Sequence, residues 1–156
     1  MAVDGEGRPG YHDVLHPVYT VFHKDDRTFS DLWTEHDEDF AVFYRRFLSD
    51  VEVYGSTHGI KANPGQPGNF YCISAVPWLD FTGYNAAVAG GGKPALFPVI
   101  TYGKITEENG RETLPIALNI AHAAADGWHV AAFFRDLQDL LDTVVLDAAD
   151  PKEETL

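Results

Sequence analysis

His122 is the residue of this sequence best placed to do chemistry. It stands in the run Ala121-His122-Ala123-Ala124-Ala125-Asp126-Gly127-Trp128-His129, where alanine neighbours leave open space beside the imidazole. The run falls where an extended pattern gives way to a helical one. A neutral imidazole at the end of a strand can take a proton at neutral pH, so His122 is a candidate general base. Asp126 sits where it could cap the helix that follows, and Gly127 permits a tight turn. A buried, hydrogen-bonded histidine beside an N-cap aspartate fits the same spacing, and spacing alone leaves both readings open. His122, Asp126 and His129 also fall at helix-like steps that suit metal ligation. The first helical turn has not formed at His122, however, and no fourth ligand lies nearby, so no metal site is expected there.

Other chemistry-bearing side chains lie in extended runs. Cys72 is inside the apolar run of residues 70–76 and reads as a packed thiol. Ser74 and Thr101 read, from the residues alone, as ordinary strand positions.

The elements that must position these groups follow from periodicity. The first seventeen residues are rich in Gly, Pro and His and read as an irregular lead-in. Val18-Tyr19-Thr20-Val21-Phe22-His23 is β-branched and aromatic and predicts a strand, followed by a polar turn at 24–27 and a short extended piece over 28–33. Phe40, Phe43, Tyr44, Phe47, Leu48, Val51 and Tyr54 recur at three- and four-residue steps and predict a helix. Asp37, Glu38 and Asp39 stand at its positive end and Gly55 at its stop. Residues 58–69 form a Gly- and Pro-rich loop.

Strands are expected over 70–76 and 97–102, separated by a flexible Gly90-Gly91-Gly92 loop. Asn109-Gly110 is a strong hairpin turn, with 114–120 as the return strand. The near-continuous apolar runs suggest strands covered on both faces, in part by a partner subunit. A last helix starts near Gly127, with Val130, Phe133, Phe134, Leu137, Leu140, Leu141 and Val144 as its buried stripe. The order of elements predicts an α+β fold, a mixed, mainly antiparallel sheet with helices packed on it in two layers. The expected organisation is a lead-in over 1–15, one domain over 16–146, and an acidic tail over 147–156.

Composition sets the outer limits. The 156 residues carry 11 Lys and Arg against 24 Asp and Glu, a net charge of −13. Scattered, outnumbered cations argue against nucleic acid, which needs clustered ones. An apolar fraction of 45% is too high for a disordered chain, and no run suits a membrane span or a signal peptide. One cysteine excludes an internal disulfide and a cysteine zinc cluster. A cytoplasmic protein is expected.

The motifs, taken together, are similar to a known family. Ser74-Ala75-Val76-Pro77-Trp78, Phe81-Thr82-Gly83-Tyr84-Asn85, Pro98-Val99-Ile100-Thr101-Tyr102-Gly103-Lys104, Leu114-Pro115-Ile116-Ala117-Leu118 and His122-x-x-x-Asp126-Gly127-Trp128-His129-Val130 resemble chloramphenicol acetyltransferase. His16-Pro17-Val18-Tyr19-Thr20-Val21-Phe22-His23 and Thr28-Phe29-Ser30-Asp31-Leu32-Trp33 resemble the middle of that family. The likeness runs in register from about His16 to Leu141. The His-x-x-x-Asp-Gly element belongs to the wider CoA-dependent acyltransferase superfamily, and the other elements narrow it.

The resemblance implies an O-acetyltransferase that moves acetyl from acetyl-CoA to a hydroxyl of chloramphenicol, an antibiotic-resistance activity, in a cytoplasmic homotrimer. It implies His122 as general base, Ser74 as hydrogen-bond donor to the oxyanion, and Thr101 as organiser of a nearby water. It implies that Trp78, Tyr84 and Lys104 line substrate or cofactor pockets. Asp126 becomes a structural residue paired with an arginine from an N-terminal segment. That segment precedes the matching part in the family, so the chain is expected to be an N-terminally truncated member. Acetyl-CoA is the co-substrate and no metal is required. Two alternatives stay open: an inactive remnant or interaction module, and an acyltransferase for another alcohol.

Overall fold

The computed structural model describes residues 2–3, 5–86 and 96–143. In chain order its elements are β1 (Ala2–Val3), β2 (Pro9–Gly10), β3 (His16–His23), β4 (Thr28–Trp33), α1 (Phe40–Tyr54), β5 (Phe70–Ala75), β6 (Val99–Tyr102), β7 (Thr106–Glu108), β8 (Arg111–Thr113), β9 (Ile116–Asn119) and α2 (Gly127–Thr143). Two compact units result, Met1–Ala124 and Ala125–Leu156.

The first unit is built on a five-stranded sheet of order β4-β3-β5-β6-β9. The β3–β4 and β6–β9 pairs are antiparallel, and the β3–β5 and β5–β6 pairs are parallel. Two small antiparallel ribbons, β1–β2 and β7–β8, complete a mixed and mainly antiparallel set. The lead-in is therefore partly ordered, since Pro9 and Gly10 pair with Val3 and Ala2, and β3 starts two residues before the expected strand.

The β3–β4 turn is fixed by Asp26. Its Oδ1 accepts from the Thr28 N–H at 3.0 Å and from the Thr28 hydroxyl at 2.7 Å, while Arg27 takes a positive φ of 61°. Beyond β4 the chain enters α1. Asp39 caps it by accepting from the Ala41 and Val42 N–H groups at 2.9 and 3.2 Å. Gly55 ends it with a right-handed φ of −61°, so the stop falls where expected without a left-handed cap.

A hydrogen-bonded chain ties α1 to the sheet. Thr34 donates to Asp50 Oδ2 at 2.7 Å, so its oxygen must accept from the Tyr19 hydroxyl at 3.0 Å. The Tyr19 ring also meets Phe47 of α1, with centroids 4.9 Å apart. Burial pushes the Tyr19 phenol up. Among the described residues, Tyr19, Leu32, Val18 and Val99 are the buried apolar ones, a small core for the area of sheet.

The outer edge of β4 is covered rather than bare. The Asp31 backbone N–H donates to the Ile60 carbonyl at 2.9 Å, and its carbonyl accepts from the Ala62 N–H at 3.0 Å. The Asn63 side chain then pairs both backbone groups of Trp33, at 3.0 and 2.8 Å. An edge so occupied cannot template another strand.

Several elements differ from expectation. Asn109-Gly110 does make a tight turn, with φ of 54° and 76°, but it joins β7 to β8 rather than opening the return strand. The return strand is β9, starting only at Ile116, because Pro115 precedes it and cannot donate to a ladder. Within this chain alone, every residue of β5 is half-buried rather than fully covered. The predicted stripe on α2 is not buried. Val130, Phe133, Phe134 and Leu137 are half-buried, and Leu140 and Leu141 are exposed, Leu140 by 64%. Val144, Gly90-Gly91-Gly92 and residues 147–156 lie outside the described residues.

Candidate functional site

Register brings two of the expected site residues together. Ser74 of β5 pairs with Thr101 of β6, and Thr101 pairs in turn with Ala117 of β9. On the other side, Thr20 of β3 lies beside Ser74, with their hydroxyl oxygens 3.1 Å apart, and pairs with Asp31 of β4. Paired positions share a face, so Asp31, Thr20, Ser74, Thr101 and Ala117 form one row across all five strands. Three adjacent members of that row are hydroxyls.

Each hydroxyl has a different setting. Thr101 is 1% exposed and Ser74 is half-buried. Either atom can donate in the Thr20–Ser74 bond. If Thr20 donates, the Ser74 hydrogen is left for another acceptor. Asn119, two residues beyond Ala117 on the same face of β9, has a buried Nδ2 with no partner among the described residues.

The electrostatics of this face favour neutral groups. Burial raises the Asp31 carboxyl above the usual carboxylate range, against the pull of Lys61. Cys72, two residues before Ser74, is pushed up to about 11 by burial and by the Asp31 charge. It is a protonated thiol at neutral pH and a poor nucleophile. The expectation that Cys72 is packed rather than reactive agrees with this setting.

His122 is outside the row. It is exposed and sits in the turn that follows β9, closed by the Ala124 N–H donating to the Ala121 carbonyl at 2.8 Å. The strand that was expected to hold its backbone ends at Asn119. Within the second unit, Asp126 caps α2. Its Oδ1 accepts from the N–H groups of Trp128 and His129 at 3.0 and 3.3 Å and lies 2.7 Å from His129 Nδ1. The His129 N–H first, and its imidazole next, hold this exposed carboxyl below the usual range. The resemblance implied an arginine partner for Asp126. In this chain, among the described residues, its ion-pair partner is His129.

Of the pocket candidates, Trp78 and Tyr84 lie on the loop after β5, and Lys104 follows β6. Trp78 is 65% exposed, with its ring edge-on to Phe22 at 5.2 Å. Tyr84 is exposed and packs on Phe81 at 5.4 Å. Lys104 is exposed and donates its N–H to the Leu79 carbonyl at 2.8 Å. This places it beside Gly103, where a Cβ would fall 2.5 Å from that carbonyl oxygen, 2.7 Å from Pro115 and 2.8 Å from Phe81. Only glycine lets β6, the 76–81 turn and the lead into β9 meet here. A separate cleft of about 240 Å³ is lined by Trp33, Glu35, Arg46, Ser49, Asp50 and Asn63 and holds none of the expected residues.

Sequence reading missed Thr20 as the neighbour of Ser74 and Asp31 as the next member of the row. The one signal for them was their place in predicted strands, because the pairing that joins Thr20 to Ser74 spans 54 residues.

Comparison with known proteins places this architecture. The family model described as chloramphenicol acetyltransferase matches residues 1–138. A chloramphenicol acetyltransferase of Clostridium perfringens is 39% identical over 137 residues, covering 88% of this chain and 62% of that protein. One from Campylobacter coli is 38% identical over 141 residues, covering 90% of this chain and 68% of its own. The chain thus spans roughly two thirds of these relatives' length. Among solved structures, a chloramphenicol acetyltransferase superposes with a TM-score of 0.71 at 23% identity, over 88% of this chain and 66% of the other. The dihydrolipoamide acetyltransferase of Azotobacter vinelandii superposes with a TM-score of 0.64 at 16% identity, over 90% and 59%, a likeness of fold. From the extent of the family match and these identities, the chain belongs to the chloramphenicol acetyltransferase family.

Proposed function

We propose that the protein transfers the acetyl group of acetyl-CoA to a hydroxyl of chloramphenicol, and so inactivates the antibiotic. The observation that carries the reading is the hydroxyl row Thr20–Ser74–Thr101, found in a member of this family. The exposed imidazole of His122 supports it further. Residues 16–146 form the acyltransferase domain in this reading.

The chemistry needs a base and a donor. Neutral His122 takes the proton of the acceptor hydroxyl as its oxygen bonds to the thioester carbonyl carbon. The C–S bond then breaks, and the imidazolium returns the proton to the departing CoA thiolate. Negative charge that gathers on the carbonyl oxygen is met by the Ser74 hydroxyl, whose hydrogen is available when Thr20 donates to Ser74. General-base help is worth about 10²–10⁴-fold and one oxyanion donor about 10²–10³-fold. Thr101 holds a water beside the same oxygen, and Asp126 is a structural residue that caps the start of α2. Trp78, Tyr84 and Lys104 line the substrate pockets. The reaction requires no metal.

The working form in this reading is a cytoplasmic homotrimer. Exposed Phe22, Phe29, Trp78 and Leu79 support association, since monomers rarely leave so many large apolar groups in water. No helix among the described residues is long and apolar enough to cross a membrane.

The test is release of CoA thiol from acetyl-CoA, with and without chloramphenicol, on protein shown to be folded. Acceptor-dependent release is expected. Its absence would remove the reading, and turnover of a different alcohol alone would replace chloramphenicol as the acceptor. The particle mass in solution checks the trimer separately.

A further inference from the structure

The tip of the β3–β4 hairpin meets the loop after α1 in a cluster that acyl transfer does not use. It contains His23, at the end of β3, Asp25 and Asp26 in the turn, and His58 in the loop. His23 is 6% exposed, and His58 and Asp25 are exposed. The two rings stack with centroids 4.0 Å apart. His23, Asp25 and His58 each offer a ligand-capable atom, and the three atoms lie within 4.8 Å of one another.

The hydrogen bonds around the cluster decide where lone pairs are. Ser30 donates its hydroxyl to the Thr57 carbonyl at 2.8 Å, so its oxygen accepts from His23 Nε2, also at 2.8 Å. That fixes the His23 proton on Nε2 and leaves the lone pair on Nδ1. His58 Nδ1 lies 2.9 Å from Asp26 Oδ2 and donates to it, which leaves the lone pair of the neutral ring on Nε2. A carboxylate holding the far nitrogen of a ring is the usual support of a metal-bound histidine. His58 Nε2 lies 3.4 Å from Asp25 Oδ2. That is long for a hydrogen bond, which runs to about 3.2 Å. It is close to the separation, about 3.3–3.4 Å, of two ligands each about 2.0–2.1 Å from a tetrahedral ion.

We propose that His23, Asp25 and His58 bind a divalent transition-metal cation of the zinc type. Ser30 and Asp26 fix the two tautomers, the stacked rings tilt so that both lone pairs meet the ion, and solvent completes the coordination. Two nitrogen ligands and a carboxylate suit such an ion better than calcium or magnesium, which take oxygen. The bound ion would join the hairpin tip to the loop after α1. A cation that binds only the folded form raises its stability by mass action. The inference is independent of the acyl-transfer reading.

The test uses the full chain after chelator treatment and dialysis, titrated with Zn²⁺ by calorimetry and with Co²⁺ by visible absorption. One equivalent should bind, Co²⁺ should give the intense absorption of a tetrahedral centre, and Zn²⁺ should raise the thermal midpoint. His58→Ala and Asp25→Asn, at exposed positions, should abolish all three while leaving the far-ultraviolet dichroism unchanged. Asp26→Asn, which removes only the orienting carboxylate, should weaken binding by about 10–100-fold. His129→Ala, in the other imidazole–carboxylate pair, should leave binding unchanged. No saturable binding, binding that survives His58→Ala, or binding lost in His129→Ala would each overturn the proposal.

Discussion

The two parts of the proposed site are held by different means. Ser74 and Thr101 sit in adjacent parallel strands, and their separation is set by the ladder, with further strands on either side. His122 sits in a turn past the end of β9, where the Ala124 N–H donates to the Ala121 carbonyl. A ladder shifts only in steps that turn side chains to the other face. A turn adjusts continuously and at small cost. In the proposed mechanism, the fixed element is then the donor side and the adjustable element the base side.

Substitutions in each part can break or sharpen that contrast. The largest effect is expected at His122. His122→Ala should lower the acceptor-dependent rate by about 10²–10⁴-fold with little change in the unfolding midpoint, because the side chain is exposed. Steady-state kinetics beside urea unfolding would check both. Next is Ser74→Ala, expected to cost about 10²–10³-fold in kcat. A loss confined to KM would assign Ser74 to binding instead.

The third effect concerns stability. Gly103→Ala places a methyl 2.5 Å from the Leu79 carbonyl oxygen and should cost about 1–3 kcal/mol by urea unfolding. An unchanged midpoint would show that the 76–81 turn moves freely against β6.

Two smaller effects depend on pH. The Asp126 carboxyl is lowered in the folded chain, so its stabilising contribution is present above the ordinary carboxylate value and is lost as pH falls through the lowered one. Asp126→Ala should therefore lower the thermal midpoint at pH 7 and make little difference once the wild-type carboxyl is protonated. Cys72 has the opposite sense. Its folded value of about 11 stands above the ordinary 9.0, so stability is complete below pH 9 and falls as pH rises toward 11. The urea midpoint of Cys72→Ala should decline less over that interval than that of the wild-type chain.

Much of the scaffold is legible in the sequence because its signals are local. The β-branched run at 18–23, the spacing of Phe40, Phe43 and Phe47, and the Asp39 cap each act within a few residues, and the corresponding elements appear where expected. What local signals omit is partnership. Asn109-Gly110 announces a turn but not which strands it joins. The α2 pattern announces an apolar stripe but not what covers Leu140. Thr20 and Asp31 look like ordinary strand residues until register sets them in line with Ser74. The His23–His58 pair is hidden for the same reason, since α1 separates the two in sequence. Ser74 and Thr101 became candidates through family motifs, and their pairing is the part that the fold supplies.

The most direct measurement is rescue of His122→Ala by added imidazole. The account predicts that the variant's acceptor-dependent CoA release is nearly absent and returns in proportion to the concentration of neutral imidazole. Near wild-type turnover in His122→Ala without imidazole would contradict it.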